Sequence, residues 1–268
     1  MNFLILGGTN DALRLANSLF QKSIPIIYSL AGLVRVPEKN YPIITGGFSQ
    51  HGGLDHYIKK NGIVGIIDAT HPYANKISDE AYAAALNNQI PYWQYDRPIW
   101  ERQTGDTWIE YNDWNELFPM LQDKKSIFIT TGQLTSLILN ALPQKLSAKV
   151  LLRTVLEPAV ALQKGAGLAE NIHWIQAIGP FTLQDEIALM QKHAIDALVS
   201  KNSGGDATSA KLLAARQLQV PVYLLKRPEN RRFQNENTSI EKLFSQLDAC
   251  EEAVLQYFNK SLLLEKPS

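Results

Sequence analysis

Short runs of β-branched and aromatic residues alternate with longer stretches whose apolar positions recur every three or four residues, along most of the chain. In the first half, Phe3–Leu6, Ile26–Ser29, Ile43–Thr45, Ile63–Asp68 and Tyr92–Tyr95 read as strands, each closed by Gly, Asp, Pro or a polar turn. Between them, Asp11–Phe20, Leu54–Lys60 and Ser78–Asn88 read as helices. A polar and aromatic loop, Arg97–Thr107, follows, and then the order repeats. Ser126–Thr131, Lys149–Thr154, His173–Ala177, Ala197–Ser200 and Val220–Leu225 are strand-like; Gln133–Leu142, Leu183–His193 and Ala207–Gln217 are helical. Strands apolar on both faces and separated by helices predict mostly parallel sheets covered on both sides, an α/β fold. Two sheets suit 268 residues better than one of ten strands. The expected division is a first domain over 1–105, a second over 106–230, and a tail over 231–268 that packs back on them. That tail, from Thr238 to Asn259, sets Ile240, Leu243, Phe244, Leu247, Cys250, Val254, Tyr257 and Phe258 on one helical face.

Composition narrows the class. Hydrophobic residues make up 45% and charged residues 19% of the chain, an ordinary globular balance. Twenty-six basic and 26 acidic residues cancel, so no basic field favours nucleic acid, and an anionic partner needs a local cluster of cations. The single Cys250 excludes an internal disulfide and a cysteine-based zinc site, which fits a reducing cytoplasm. The start of the chain lacks a signal-peptide pattern, and Ile24–Val34 is too short and too broken by Pro25 to span a bilayer.

In an open parallel sheet, ligands bind beyond the carboxyl ends of the strands, so the strand-to-helix loops are where chemistry is expected. The first reads Gly7-Gly8-Thr9-Asn10-Asp11-Ala12, in the position of a dinucleotide-phosphate loop, although Thr9 replaces the second glycine of G-x-G-x-x-G. The alternative is a tight turn capped by Thr9 or Asn10. The second strand ends Ser29-Leu30-Ala31-Gly32, with no carboxylate before Glu38. Ser29 and Arg35 suit a ribose 2′-phosphate, which points gently to NADPH; a plain surface arginine is the alternative.

Asp68-Ala69-Thr70-His71-Pro72-Tyr73 lies at another strand end, where Thr70, His71 and Tyr73 offer hydrogen bonds to a ligand. A histidine bonded to backbone is the bland reading of His71, and no metal site is expected. In the second half, Thr131-Gly132 and Lys201-Asn202-Ser203-Gly204-Gly205 repeat the theme, the latter an anion cradle with its own cation that leads to a helix through Thr208. Arg153 at a further strand end pairs with a carboxylate or diphosphate, or makes a surface ion pair. No P-loop, no G-x-S-x-G elbow and no Tyr-x-x-x-Lys pair occurs.

Taken in order, Gly7-Gly8-Thr9, Ser29-Leu30-Ala31-Gly32, Gly46-Gly47-Phe48, Asp68–Ala74, Thr131-Gly132, Arg153-Thr154, Gly179-Pro180-Phe181, Lys201–Gly205 with Thr208 and Lys211, and Arg227-Pro228 resemble the precorrin-6A reductase / cobalt-precorrin-6A reductase family, from Phe3 to about Pro228. The resemblance implies two Rossmann-like (flavodoxin-like) domains with an interdomain cleft and a C-terminal helix. It implies reduction of one carbon–carbon double bond of a corrin-ring precursor by NADPH, with NADH as the other reductant. Cofactor binding then falls to Gly7, Gly8, Thr9, Asn10, Ser29, Ala31, Gly32, Arg35, Thr70, Thr131 and Gly132. Substrate binding falls to His71, Arg153, Asn202, Ser203, Gly204, Gly205 and Thr208, and catalysis to Lys201 and Tyr73. The implied partners are this small-molecule substrate and, transiently, neighbouring enzymes of the pathway, with neither nucleic acid nor membrane.

Two positions depart from the family pattern. Leu33 stands where an Arg commonly follows Ser-x-Ala-Gly, and Asn202 stands where many members have Asp. An amide cannot act as a general acid, so no carboxylate proton donor is expected there. Two other classes share these loops: a nucleotide- or tetrapyrrole-binding sensor without turnover, and a reductase of another acidic substrate.

Overall fold

A computed structural model describes residues 1–30, 39–158, 168–233 and 241–264. The chain separates into two compact units, Met1–Pro98 with Pro228–Ser268, and Ile99–Arg227.

The first unit is a six-stranded parallel sheet. Its strands are β1 (Asn2–Leu6), β2 (Ile26–Leu30), β3 (Ile43–Thr45), β4 (Ile63–Asp68), β5 (Tyr92–Tyr95) and, from far along the chain, β12 (Glu241–Phe244). Read from one edge the order is β3-β2-β1-β4-β5-β12, with every pairing parallel. Alternation along β1 shows why both faces must be covered. Phe3 and Ile5 pack with Leu15 and Leu19 of α1 (Asn10–Gln21) and with Cys250 and Val254 of α8 (Leu247–Leu264). Leu4 and Leu6 face the other way, onto Tyr57 and Ile58 of α2 (Leu54–Lys60) and Ala81, Ala84 and Ala85 of α3 (Asn75–Asn87). Each such Leu or Ile stabilises the fold by ~1.5–3 kcal/mol through burial. Lys22 and Ser18 of the α1 end also bind Glu251 of α8.

The second unit repeats the design with β6 (Trp108–Tyr111), β7 (Ser126–Ile129), β8 (Lys149–Thr154), β9 (Ile172–Gln176), β10 (Ala197–Lys201) and β11 (Val222–Leu225). The order is β9-β8-β7-β10-β11-β6, again all parallel. Ile127, Ile129, Val150 and Leu152 pack against Leu117 of α4 (Trp114–Met120) and Leu139 and Leu142 of α5 (Ser136–Lys145). Phe128, Leu151, Leu198 and Leu224 pack against Met190 of α6 (Leu183–Lys192) and Leu212 of α7 (Ala210–Gln217). The first sheet thus carries the spatial order 3-2-1-4-5-6 of dinucleotide-binding folds, and the second repeats its 3-2-1-4-5 part in β7–β11 with β6 added at the edge. They fill the sixth place differently: the first with a strand that returns after the second unit, the second with the strand that precedes its other five.

Three elements differ from the sequence expectation. Trp108–Tyr111 and Trp114–Met120 form β6 and α4, where the pattern predicts no element; Pro119 inside α4 and the short Trp-Ile-Glu-Tyr run weaken both periodicities. The tail is not one helix. Glu241–Phe244 is extended against the open edge of β5, in register Leu243↔Gln94 and Phe244↔Tyr95, before α8 begins. Apolar residues at 243, 244 and 247 fit a helix face and an edge strand alike, and backbone hydrogen bonding along β5 decides between them.

Candidate active site

In each sheet the two central strands send their connections in opposite directions, and ligands of open α/β sheets bind at that switch point. In the first unit it lies between the ends of β1 and β4. Gly7 follows β1 and donates its N–H to Ser29 O at 2.9 Å. A Cβ on Gly7 would lie 2.1 Å from Cζ of Tyr28, so no larger residue fits above that ring. The Tyr28 hydroxyl accepts the Gly8 N–H at 3.1 Å, and Gly8 itself has φ +102°. Burial pushes the Tyr28 phenol up to about 12, with the Gly8 N–H opposing and Tyr41 adding, so a neutral hydroxyl supports the turn.

Thr9 is the N-cap of α1. Its hydroxyl accepts from Ala12 N at 3.1 Å and donates to Ala69 O at 2.9 Å, joining the loops that follow β1 and β4. Its side chain is committed to structure. What this loop offers an anion is the first-turn backbone N–H groups of α1 and the positive end of the helix dipole, with Asn10 exposed beside them. Asp11 in the same turn is offset by Arg97 at 3.4 Å.

Asp68, at the end of β4, is buried and holds its loop with both oxygens. Oδ1 accepts from Thr70 N at 3.0 Å and Thr70 Oγ1 at 2.7 Å, and Oδ2 accepts from the Tyr92 hydroxyl at 2.6 Å. Burial, then the Asp68 charge, raises the Tyr92 pKa well above its ordinary value. Nδ1 of His71 accepts from Tyr73 N at 3.3 Å, which leaves the proton of a neutral ring on Nε2. The His71 and Tyr73 rings lie 5.6 Å apart. A cavity of about 410 Å³ opens over these strand ends, lined by Gly7, Ser29, Gly46, Phe48, Thr70 and Tyr73 among others. That volume is in the range of small-molecule sites. The glycine turn, the helix N-terminus and this cavity together fit a dinucleotide. Ala31, Gly32 and Arg35 lie outside the described residues.

In the second unit the switch point lies between β7 and β10. Thr130 ties the two strand ends through its N–H and hydroxyl, both donated to Val199 O. Next to it Thr131 is buried, and its hydroxyl has no hydrogen-bond partner among the described residues. Gly132 has φ +80° and open space where a Cβ would stand. Lys201 ends β10, and burial pulls its ammonium below the ordinary lysine range. The loop beyond it is largely buried, with Gly204 at φ +67° and Gly205 at φ +75°. The Asn202 side chain faces the backbone of Trp100, accepting from its N–H at 2.9 Å and donating to its carbonyl at 3.3 Å. Ser203 N donates to Lys201 O, and Thr208 sits half-buried in the turn before α7.

Arg153 is no surface residue, which corrects the surface location of the ion-pair alternative while its pairing with a carboxylate stands. It is buried, donates to Glu186 Oε1 at 2.7 Å, and lies over the rings of Phe181 at 3.8 Å and Phe128 at 4.8 Å. Lys211 completes this charged nucleus. Burial, reinforced by Arg153 and opposed by Glu186, brings its pKa down to about 7.

The structure therefore gathers Gly7, Gly8, Thr9, Asn10, Ser29, Thr70, His71 and Tyr73 at one end of the first sheet. It gathers Thr131, Gly132, Arg153, Lys201–Gly205 and Thr208 at the corresponding end of the second. Sequence reasoning missed Tyr28, Asp68, Trp100 and Glu186 as parts of these sites. Only Asp68 carried a readable signal, a carboxylate closing an apolar strand.

The family model for precorrin-6x reductases, CbiJ/CobK, matches residues 2–248. This chain belongs to the precorrin-6x reductase family. It is 38% identical over 230 residues to a precorrin-6A reductase of Rhodococcus erythropolis, with 84% of this chain and 88% of that one covered. It is 27% identical over 234 residues to a cobalt-precorrin-6A reductase of Priestia megaterium, with 84% and 90% covered. The solved structure of a CobK precorrin-6A reductase superposes with a TM-score of 0.81 at 31% identity, over 96% of each chain. Membership in this reductase family implies a nicotinamide cofactor. Among the described residues, no helix is long and apolar enough to cross a membrane, and no group of His, Cys, Asp and Glu could hold a metal ion.

Proposed function

We propose that this chain reduces one carbon–carbon double bond of precorrin-6A or its cobalt-bearing form in cobalamin biosynthesis, with NADPH preferred over NADH. The observation that carries the reading is a pair of glycine-bearing loops at equivalent switch points, one built for a dinucleotide and one armed with Lys201. Bound nicotinamide would supply a hydride. The chain's own part is to hold the reactants close and to meet the charge that develops.

In this reading Gly7, Gly8 and the first turn of α1, with Asn10, hold the diphosphate. Ser29 and Thr70 face the adenosine half in the 410 Å³ cavity, and the family resemblance assigns Ala31, Gly32, Arg35, Thr131 and Gly132 to cofactor binding as well. The unpartnered Thr131 hydroxyl supports a ligand at that point, because a buried donor is costly until it is satisfied. The substrate is a macrocycle with several carboxylates. Lys201, with the Ser203–Gly205 amides and Thr208, would bind one of them, and the family resemblance assigns His71 to substrate binding as well. Arg153 supports the strand end from beneath, its guanidinium already shared with Glu186.

When electron density moves onto the ring, the Lys201 ammonium stabilises it. Its lowered pKa also makes Lys201 the readier donor of the proton that completes the reduction, with Tyr73 as the second candidate. We place the enzyme in the cytoplasm, in keeping with the free, buried Cys250. The decisive experiment is an anaerobic assay with both nicotinamides against metal-free and cobalt-loaded precorrin-6A. Oxidation of nicotinamide that depends on the macrocycle is expected. Tight binding of both ligands without turnover would make the chain a sensor instead.

A further inference from the structure

The loop that bears Lys201 is glycine-rich, and left to itself such a loop samples many conformations. Here one residue from outside the loop fixes it at two points. Trp100 lies in Ile99–Thr107, a stretch without helix or strand, yet its backbone N–H and carbonyl both meet the Asn202 side chain, at 2.9 and 3.3 Å. Its indole Nε1–H donates to Gly205 O at 2.8 Å. The indole is itself steadied from below: Nζ of the buried Lys211, in the first turn of α7, lies 5.4 Å from the ring centroid, within cation–π range. Asn202 N–H also reaches Leu225 O at the end of the neighbouring strand β11.

We propose that Trp100 and Asn202 form a clamp that sets the conformation of the Lys201–Gly205 loop, which makes both of them positioning residues rather than substrate ligands. The chemistry of residue 202 follows from this. A side chain that meets an N–H and a C=O of one residue must accept and donate side by side. A carboxamide does so at any pH. A carboxylate accepts only, and would set an oxygen against the Trp100 carbonyl. A protonated carboxylic acid regains the donor. The amide at 202 thus matches the backbone of Trp100 and brings no titration of its own to the loop.

The inference rests on the reading that this loop holds the acidic macrocycle, and its test separates the two. Trp100→Phe keeps the ring and removes the indole donor; Asn202→Asp keeps the size and makes the clamp titratable. Amide hydrogen exchange of a peptide covering residues 201–206, measured on the whole protein, reports the clamp without any substrate. Exchange should quicken about five- to tenfold in Trp100→Phe, the loss of one hydrogen bond. KM for precorrin-6A should rise by a similar factor, while binding of NADPH alone stays unchanged. In Asn202→Asp, kcat/KM relative to the parent should fall as pH rises through the ionisation of the new carboxyl, from the ordinary carboxylate range near ~4 upward as far as burial raises it. Unchanged exchange in Trp100→Phe, or a flat pH ratio in Asn202→Asp, overturns the clamp. Faster exchange with unchanged KM overturns the positioning role. Parent-like kinetics in Lys201→Ala would instead remove the substrate from this loop while the exchange result still judges the clamp.

Discussion

The two switch points share a strand order but not a way of meeting a ligand. In the first unit the polar atoms under the loop are spoken for. Tyr28 takes the Gly8 N–H, Thr9 bridges Ala12 and Ala69, and Asp68 is saturated by Thr70 and Tyr92. What remains is backbone and helix dipole, suited to a diphosphate that brings its own charge. In the second unit the Thr131 hydroxyl and one oxygen of Glu186 are buried without hydrogen-bond partners among the described residues, and Arg153 and Lys211 are ionisable groups taken from water. Such groups are costly in an apolar interior and raise the local field. One fold has thus been fitted once as a passive cradle and once as a charged seat.

Five substitutions, in four experiments, can sharpen or break that contrast. Lys201→Ala should cost the most, lowering kcat/KM for the macrocycle on the order of a hundredfold while NADPH binding persists; parent-like steady-state kinetics would dissolve the charged seat. Next, Gly7→Ala drives a methyl into the Tyr28 ring and should lower stability by ~2–3 kcal/mol. Thermal unfolding of the double variant with Tyr28→Leu, which clears that space, should recover much of the loss. If the double variant is no better than the single, the close approach of Gly7 to Tyr28 is not what the glycine serves.

The third prediction concerns Lys211. Its folded pKa of about 7 lies below the unfolded value near 10.4, so between these limits the unfolded chain binds more protons. Stability of the parent should therefore rise as pH climbs from about 7 towards 10. Lys211→Met should remove that rise and stabilise the protein at pH 7 by on the order of 1–2 kcal/mol. Denaturant titrations at pH 7 and 9 check the sign; parallel curves for parent and variant would contradict it. The smallest effect belongs to Tyr28→Phe, which strands the Gly8 N–H at a cost of ~1 kcal/mol without altering any charge. A larger rise in KM for NADPH than in that for precorrin-6A would place Tyr28 under the cofactor loop, and the reverse would not.

The alternation of strands and helices was legible because both faces of each sheet are covered, so Phe3–Leu6 and Ile127–Ile129 read as continuous apolar runs. The glycine loops were legible through their place after a strand and before a helix. The supports beneath them were hidden. Tyr28 looks like any aromatic strand residue, and only the fold brings its hydroxyl under Gly8, twenty residues earlier. Arg153 reads as a substrate ligand or a surface ion pair because its partner Glu186 is 33 residues away on another element. Asn202 reads as a ligand for want of any sequence link to Trp100, 102 residues distant. Pairings of that range leave no periodic trace.

The late strand β12 also orders events at the ribosome. Everything needed to complete the second sheet, from Trp108 to Leu225, is synthesised and leaves the ribosome ahead of Glu241–Phe244, so that sheet can close before the first one does. The first sheet waits with the backbone of β5 uncovered, an edge that any passing strand could extend. A chain released short of residue 241 would present that edge permanently, and in the growing chain the edge stays open from the synthesis of β5 to that of β12, which makes this long interval the one in which the first sheet is most exposed to aggregation and to the attention of chaperones.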